Sequence, residues 1–513
     1  MDKDNMEEVI DEILEEIEVI KLPHSRLYGI DYGGAYTCVS EWMGDDRPLE
    51  DVKFPKCKDK RFPSTICYLP KFNEWVIGDL AEGCVEKYPN TSFTNLKRRV
   101  GENVTLFNQD EEEISCEEAL RNFFRILKDF FQEVISDEEK IESTVVAVPY
   151  CFYEYQRATV MKALKNTGLP VMGLINEPDA IILAYCFEDR IVKQEENILI
   201  IDMGETSLDI ALYEVRQKRK YIIINCLNIM GSPSIGGGDL DRVLLKKILE
   251  KHSLKESELW KEIFKNKQSI AGKLRASLKE LKHKLSTKQE ESLLNIQLIP
   301  GETLYQGIRQ DEFNEWIEPV LHRINEYLNN ILNEVNMSYE KIDRILVNGR
   351  STRIPAIKNL IEKVFPQTDK ILFLNNDYLV SQGAAIYAAI LKGKTERFGL
   401  NPINPYAIGV ELKEGIFDDI IIKGKRLPCG DKKAYKLNTT VATAFDLMIY
   451  QGNEKIVDKN QLILPVEMSG LKPLAREDDY IIIHINLDEN GIGELKLDIK
   501  NSKISWTRKL SSE

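Results

Sequence analysis

The sequence predicts two related α/β halves facing each other across a cleft, followed by an all-β domain. Three observations carry this fold class. An apolar strand that ends in Asp-x-Gly and turns into a second strand occurs twice, around Asp31 and Asp202. Between and after these units, apolar runs alternate with stretches of helical period, the signature of layered α/β structure. From Tyr406 onward the apolar segments become short, strand-like and separated by turn residues.

Taken in order, residues 2–20 combine nine acids with one base, and Met6, Val9, Ile10, Ile13, Leu14, Ile17 and Ile20 recur at helical spacing. This predicts an acidic amphipathic helix (segment 1–24) that ends before Pro23, either packed on a domain surface or docking a basic or apolar partner. Leu27–Asp31, the turn 32–35 and Tyr36–Trp42 form the first hairpin; Ile198–Asp202, the turn 203–206 and Ser207–Val215 form the second. Cys116–Ile135 and Tyr153–Thr167 read as helices, and Ser143–Val148 as a strand ending at Pro149. Helical stretches are expected over Asp239–His252 and, as a charged helix, over Glu256–Ser286. Ile342–Val347 reads as a strand, and Gly383–Leu391 as a small-residue helix that lets backbones approach closely. The α/β part spans residues 25–393. Residues 394–405, with two Pro and few large apolar residues, read as a linker. Strands are expected at 406–412, 417–422, 434–437, 444–450, 480–487 and 493–499, giving a β-sandwich over 406–510.

Composition narrows the function. A hydrophobic share of 43% is enough for real cores and excludes wholesale disorder. The net charge of −14 argues against nucleic acid as a partner, and residues 1–20 supply eight of those charges. No apolar run reaches the length of a membrane span, and the first twenty residues lack a secretory h-region, so no membrane partner is expected. Nine dispersed Cys without a C-x-x-C pair predict a reducing, cytoplasmic setting, and five scattered His give no zinc site.

The hairpins carry the chemistry. Such a turn presents backbone N–H groups to a phosphate, while its Asp faces a cation through water. Two of them opposed would clamp one nucleotide, with Mg²⁺ between Asp31 and Asp202. Hydrolysis also needs a water-orienting carboxylate and a cation at the γ-phosphate. By position Glu177, Asp209 and Lys97 are the candidates, although spacing leaves each equally readable as a surface salt-bridge residue.

Six motifs in order resemble one family: GIDYGGAYTCV (29–39), INEPDAIILAY (175–185), IIDMGETSLDIALYEV (200–215), SIGGGDLDRVL (234–244), LVNGRSTRIPAI (346–357) and NNDYLVSQGAAIYAAIL (375–391). Over about residues 25–510 the chain is similar to the DnaK family of seventy-kilodalton heat-shock chaperones. The resemblance implies a two-lobed, actin-like ATPase domain of duplicated ribonuclease-H-like fold, then a linker and a peptide-holding β-sandwich. It implies ATP/ADP and Mg²⁺, a polypeptide client, a J-domain cochaperone and a nucleotide exchange factor. By position, Asp31 and Asp202 would order the metal's waters, Glu177 and Asp209 would flank the attacking water, and Lys97 would be the catalytic cation. Gly33, Gly34, Ala35 and Tyr36 would face the nucleotide from the first turn, and Gly204, Glu205, Thr206 and Ser207 from the second. Gly236 and Gly237 match phosphate-side glycines. Lys282 and Ser286 match one side of the adenosine clasp, with Gly349, Arg350, Ser351, Arg353 and Asp377 on the other. Pro149 and Arg157 match residues that relay nucleotide state.

The departures are equally specific. Gly34 and Ala35 replace two Thr hydroxyls of the first turn, so ATP binding with slow or absent hydrolysis is expected. Glu205 adds a carboxylate beside the phosphates unless it turns outward, and Arg350 covers or partly fills the adenine pocket. Gly173 replaces the basic residue that docks the J domain. Lys413 and Asn438 stand where apolar side chains arch over the peptide, and Phe445 narrows the central pocket, which weakens apolar capture. The chain stops where the family's helical lid would begin, so fast peptide release is expected. The favoured function is a divergent, lidless chaperone. The alternative is a nucleotide-sensing scaffold or cochaperone with one dedicated partner; an actin-like sugar kinase is disfavoured by the β domain.

Overall fold

The computed structural model describes residues 24–102, 105–107, 113–136, 139–188, 190–191, 193–252, 269–287, 292–299, 302–436, 444–469, 480–499 and 505–511. The acidic segment 2–20 lies outside them, as do Asn438 and residues 256–268 of the expected charged helix. A mixed α/β region is followed by a β-rich one. Among the described residues no helix is long and apolar enough to cross a membrane.

The first Asp-x-Gly unit forms the antiparallel hairpin of His24–Tyr32 with Tyr36–Glu41, placing Asp31 opposite Cys38. Glu139–Val148 and Val171–Asn176 then add in parallel on the other side, within a six-stranded sheet. Parallel neighbours need crossovers, which the helices Cys116–Gln132 and Glu154–Lys165 supply. The first of these helices begins at Ser115, whose hydroxyl caps the Glu118 N–H, and it buries Phe123, Phe124, Leu127 and Phe131.

The second unit repeats the plan. Glu195–Met203 and Leu208–Lys218 pair antiparallel, and Arg344–Asn348 joins the first of them in parallel. That register sets Asp202 directly across from Asp209 and beside Asn348. The helices Gly237–Lys251, Ser269–Thr287, Glu318–Asn333 and Pro355–Val364 share the core of this half through Leu244, Leu278, Leu328 and Ile361.

Two helices, Glu177–Phe187 and Leu379–Leu391, are apolar nearly all round and buried among residues of both sheets. Their approach is set by glycine. A Cβ on Gly383 would fall 1.8 Å from the Ala180 carbonyl oxygen, and one on Gly29 would fall 2.1 Å from the Ala385 nitrogen.

The stretch 394–405, expected to be a linker, contains the strand Phe398–Asn401, paired in parallel with Tyr221–Ser232 at the edge of the second sheet. Burial of Phe398 beside Phe187 holds it there, a contact that its Pro and Gly content concealed. Beyond it, two four-stranded sheets enclose a core of Ile408, Val410, Ile449, Leu464, Ile485, Leu495 and Leu497. Strands Tyr480–Leu487 and Gly493–Ile499 lie where the alternation predicts. Gln461–Met468 and Ser505–Lys509 are additional strands; Pro465 disguises the first, and polar residues the second. All nine cysteines are free thiols and seven are buried, as small hydrophobes.

Candidate functional site

The two hairpin turns face each other, and a buried ionic cluster sits between them. Lys97, in the short 3-10 helix Leu96–Arg99, is buried and ion-paired with Glu177. Glu177 is the first residue of its helix, where a carboxylate suits the positive end of the macrodipole. Asp31, Asp202 and Asp209 project from strands into the same region. Asp202 Oδ1 accepts from Asn348 Nδ2 at 3.0 Å, and Asp209 Oδ2 accepts from Ser207 Oγ at 3.1 Å.

Crowding shows in the electrostatics. Burial pushes Asp31 and Asp209 up to about 7, with Glu177 adding to the rise and Lys97 opposing it. Burial, then Glu177 and Asp209, holds Asp202 well above the ordinary carboxylate range. Burial by itself would lower the Lys97 ammonium, but Glu177, Asp31 and Asp209 outweigh it and raise the pKa. Like charges directly across a ladder, as at Asp202 and Asp209, are destabilising unless a cation intervenes. Among the described residues no three acid, His or Cys side chains converge as direct metal ligands. Asp31 and Asp202, on the two facing hairpins, are the carboxylates that could hold a Mg²⁺ ion through its own waters.

Most of the remaining predicted residues lie on or beside the two turns. Gly33 donates its N–H to the Tyr36 carbonyl at 3.1 Å, closing the first turn with Gly34 and Ala35 at its tip. In the second, Gly204 N–H donates to the Ser207 carbonyl at 3.1 Å. Gly236 precedes the helix that Gly237 opens, and Lys282 Nζ donates to the Gly237 carbonyl at 2.7 Å and to Asp241 Oδ2 at 2.9 Å. Burial pushes Asp241 up to about 6, against the pull of Lys282. Ser351 Oγ donates to the Gly204 carbonyl at 2.8 Å, and Gly349 adopts the left-handed φ of 85° that its turn requires. Ser286 turns away, donating to the Lys282 carbonyl of its own helix at 2.7 Å. Arg350 Nη2 reaches Asp377 Oδ2 at 2.6 Å, and Arg353 Nη2 lies 3.9 Å from Oδ1 of the same carboxylate. Both arginines are therefore held at the Asp377 carboxylate.

Several participants carry no motif signal. Arg61 bonds Asp377 Oδ2 at 2.8 Å and lies 4.7 Å above the Tyr36 ring, which Lys279 and Arg350 also approach. Arg98 pairs with Asp239 and donates to the Thr206 carbonyl. Asp239 and Asp241 belong to the SIGGGDLDRVL motif, so their neighbourhood was readable, but their partners were not.

Behind the ionic cluster a polar chain runs toward the β domain. Arg157 Nη2 donates to Asn176 Oδ1 at 2.6 Å, Asn176 Nδ2 to Asp179 Oδ2 at 2.7 Å, and Tyr213 OH to Asp179 Oδ1 at 2.6 Å. Arg157 also donates to the Tyr150 and Phe152 carbonyls beside Pro149, and to the Asn490 carbonyl of the β domain. Asn490 Oδ1 accepts from Leu174 N–H at 2.8 Å, and Gly173 lies under it. Glu154 N–H donates to Gln451 Oε1, Gly493 N–H to Glu154 Oε1, and Tyr406 OH to the Cys151 carbonyl. Lys423 and Glu334 add an ion pair at 2.6 Å.

The amino-acid sequence that builds this arrangement matches a known family. The model described as Hsp70 protein matches residues 107–510. The chain belongs to the Hsp70 family. Chaperone protein DnaK of Mycoplasmoides gallisepticum is 26% identical over 480 residues, covering 92% of this chain and 78% of that protein. Heat shock cognate 70 kDa protein 3 of Dictyostelium discoideum is 26% identical over 511 residues, covering 93% and 78%. The chloroplastic heat shock 70 kDa protein 6 of Arabidopsis thaliana is 24% identical over 499 residues, covering 92% and 67%. Of the positions expected at a peptide site, Lys413, expected at the arch, is exposed in a short 3-10 turn, while Phe445, expected at the central pocket, is half-buried against the β-domain core at the start of its strand.

Proposed function

We propose that this chain is a nucleotide-regulated chaperone of Hsp70 type, with a two-lobed, actin-like ATPase domain over 25–393 and a peptide-holding sandwich over 406–510. The observation that carries the reading is the set of half-buried Asp31 with buried Glu177, Asp202 and Asp209 around Lys97, between two opposed Asp-x-Gly turns. Burying so many carboxylates against one ammonium costs stability, so the arrangement is best explained by a site that takes up a divalent cation together with a phosphate ligand.

In this reading Lys97 stabilises charge on the transferred phosphoryl group, Glu177 holds Lys97 in place, and Asp209 orients the attacking water. Asp31 and Asp202 hold the waters of a Mg²⁺ ion, which when bound would neutralise phosphate charge. Arg157 and Asn176 connect the Glu177 end of the site to Asn490, so nucleotide and polypeptide occupancy are coupled through that contact. The protein works in the cytoplasm on polypeptide clients, with a nucleotide exchange factor as a further partner class. A J-domain cochaperone would meet Gly173, which offers no basic side chain.

A second reading, a nucleotide-sensing scaffold without turnover, is favoured by Gly34 and Ala35, whose turn brings no hydroxyl to the phosphates. Single-turnover ATP hydrolysis by the wild type and by Lys97→Ala separates the two. Hydrolysis above background that Lys97→Ala abolishes supports the enzyme; tight ATP binding with no hydrolysis supports the scaffold. Fluorescence anisotropy with an apolar heptapeptide tests the output side, where Phe445→Val should tighten binding. If neither protein binds peptide in any nucleotide state, the chaperone reading fails.

A further inference from the structure

The turn Gly204–Ser207 does more than border the cleft, because two of its side chains are seated in notches left by glycine. A Cβ built on Gly34, at the tip of the opposing turn, would lie 2.3 Å from Thr206 Cγ2 and 3.3 Å from Thr206 Oγ1. The Thr206 side chain therefore bridges the gap between the two hairpins. A Cβ on Gly237 would lie 2.6 Å from Glu205 Oε2, 2.8 Å from Ser351 Oγ and 3.0 Å from Lys282 Nζ. The Glu205 carboxylate thus meets Ser351 and Lys282 directly above Gly237. It stands 3.7 Å from the Lys282 ammonium rather than turning out to solvent.

The turn is anchored in this position. Its Gly204 carbonyl accepts from Gly237 N–H at 3.0 Å and from Ser351 Oγ, its Glu205 carbonyl accepts from Gly238 N–H at 3.0 Å, and its Thr206 carbonyl accepts from Arg98.

We propose that Glu205 and Thr206 form an internal stopper of the nucleotide cleft. Glu205 is an anion built into the chain that occupies the place of a phosphate or ribose oxygen beside Lys282, and Thr206 closes the path between the turns. Stopper and nucleotide compete for one place, so the phosphate-bearing ligand enters only when the turn swings off Gly34 and Gly237. The stopper sets both the affinity and the charge preference of the site. This rests on the nucleotide reading above.

Calorimetric titration of the full chain with Mg-ATP tests it, in the wild type, Glu205→Gln, Glu205→Gly and the double variant Glu205→Gly with Thr206→Gly. Glu205→Gln keeps the shape and removes only the charge, so it folds as the wild type does. It should bind ATP about tenfold more tightly or better, since the seated turn loses the attraction of Glu205 to the Lys282 ammonium 3.7 Å away and swings off more readily. The double variant should gain further, because the bulk is removed too. Wild-type binding with no gain in Glu205→Gln or the glycine variants overturns the stopper and leaves the nucleotide site standing. No ATP binding by any of them, with the wild-type thermal unfolding transition retained in Glu205→Gln, overturns the nucleotide site and the stopper together.

Discussion

Glu154 makes the contact between the two domains sensitive to pH. It is buried at the seam, where its N–H donates to Gln451 Oε1 at 2.8 Å and its Oε1 accepts from Gly493 N–H at 2.9 Å. Burial pushes its carboxyl from 4.5 up to about 7, with the Gly493 N–H opposing the rise and Asp488 adding to it. With the domains apart, solvent returns the group to its ordinary value. The contact therefore prefers the protonated acid. Its contribution is complete below the ordinary value near 4.5 and is lost as pH rises through about 7. Linkage with these two values gives docking about tenfold stronger at pH 6 than at pH 8, roughly 1.4 kcal/mol.

Small-angle scattering reads the compactness of the two domains. Amide exchange of residues 398–401, corrected for the intrinsic rate, reads docking of the edge strand. Asp31, Asp202 and Asp209 also titrate, so the comparison is made against Glu154→Gln, which retains them. The variant should stay docked at both pH values and lose the slope between them. Equal slopes in the two proteins, or tighter docking of the wild type at pH 8, would refute the reasoning.

Lys97→Met leaves Glu177 buried among Asp31, Asp202 and Asp209 without its ammonium. Denaturant unfolding should show a loss of about 3–5 kcal/mol, partly restored by adding Glu177→Gln; a loss below about 1 kcal/mol contradicts the buried pair. Gly383→Ala places a methyl 1.8 Å from the Ala180 carbonyl oxygen, between two fully packed helices. It should lower the unfolding free energy by about 3 kcal/mol or more, since backbone on both sides must move. Gly83→Ala, with nothing within 4 Å, should instead gain roughly 0.5–1 kcal/mol, and equal melting shifts in the two variants would remove the close-packing account.

The sequence by itself determined which residues make the candidate site and which periods build the α/β and β parts. The Asp-x-Gly turns, the NEP helix start and the glycine pairs are local patterns, because a tight turn or a helix cap needs particular residue types at fixed spacing. Strands such as Tyr480–Leu487 were legible because one face is buried and alternation follows from the pleat. Only the tertiary structure decided what the residues meet. Lys97 and Glu177 are separated by 80 positions, so nothing in spacing distinguishes their buried pair from two surface charges. Phe398–Asn401 looked like a connector, since pairing with Tyr221–Ser232 depends on a partner far away in the chain. The direction of Glu205 is of the same kind. Its charge was plain from the sequence, but whether it faces solvent or Lys282 depends on Gly237 leaving room above a helix start formed over thirty residues later. Residue type sets what a group can do; the packing of distant segments sets its solvent, its neighbours and hence its charge.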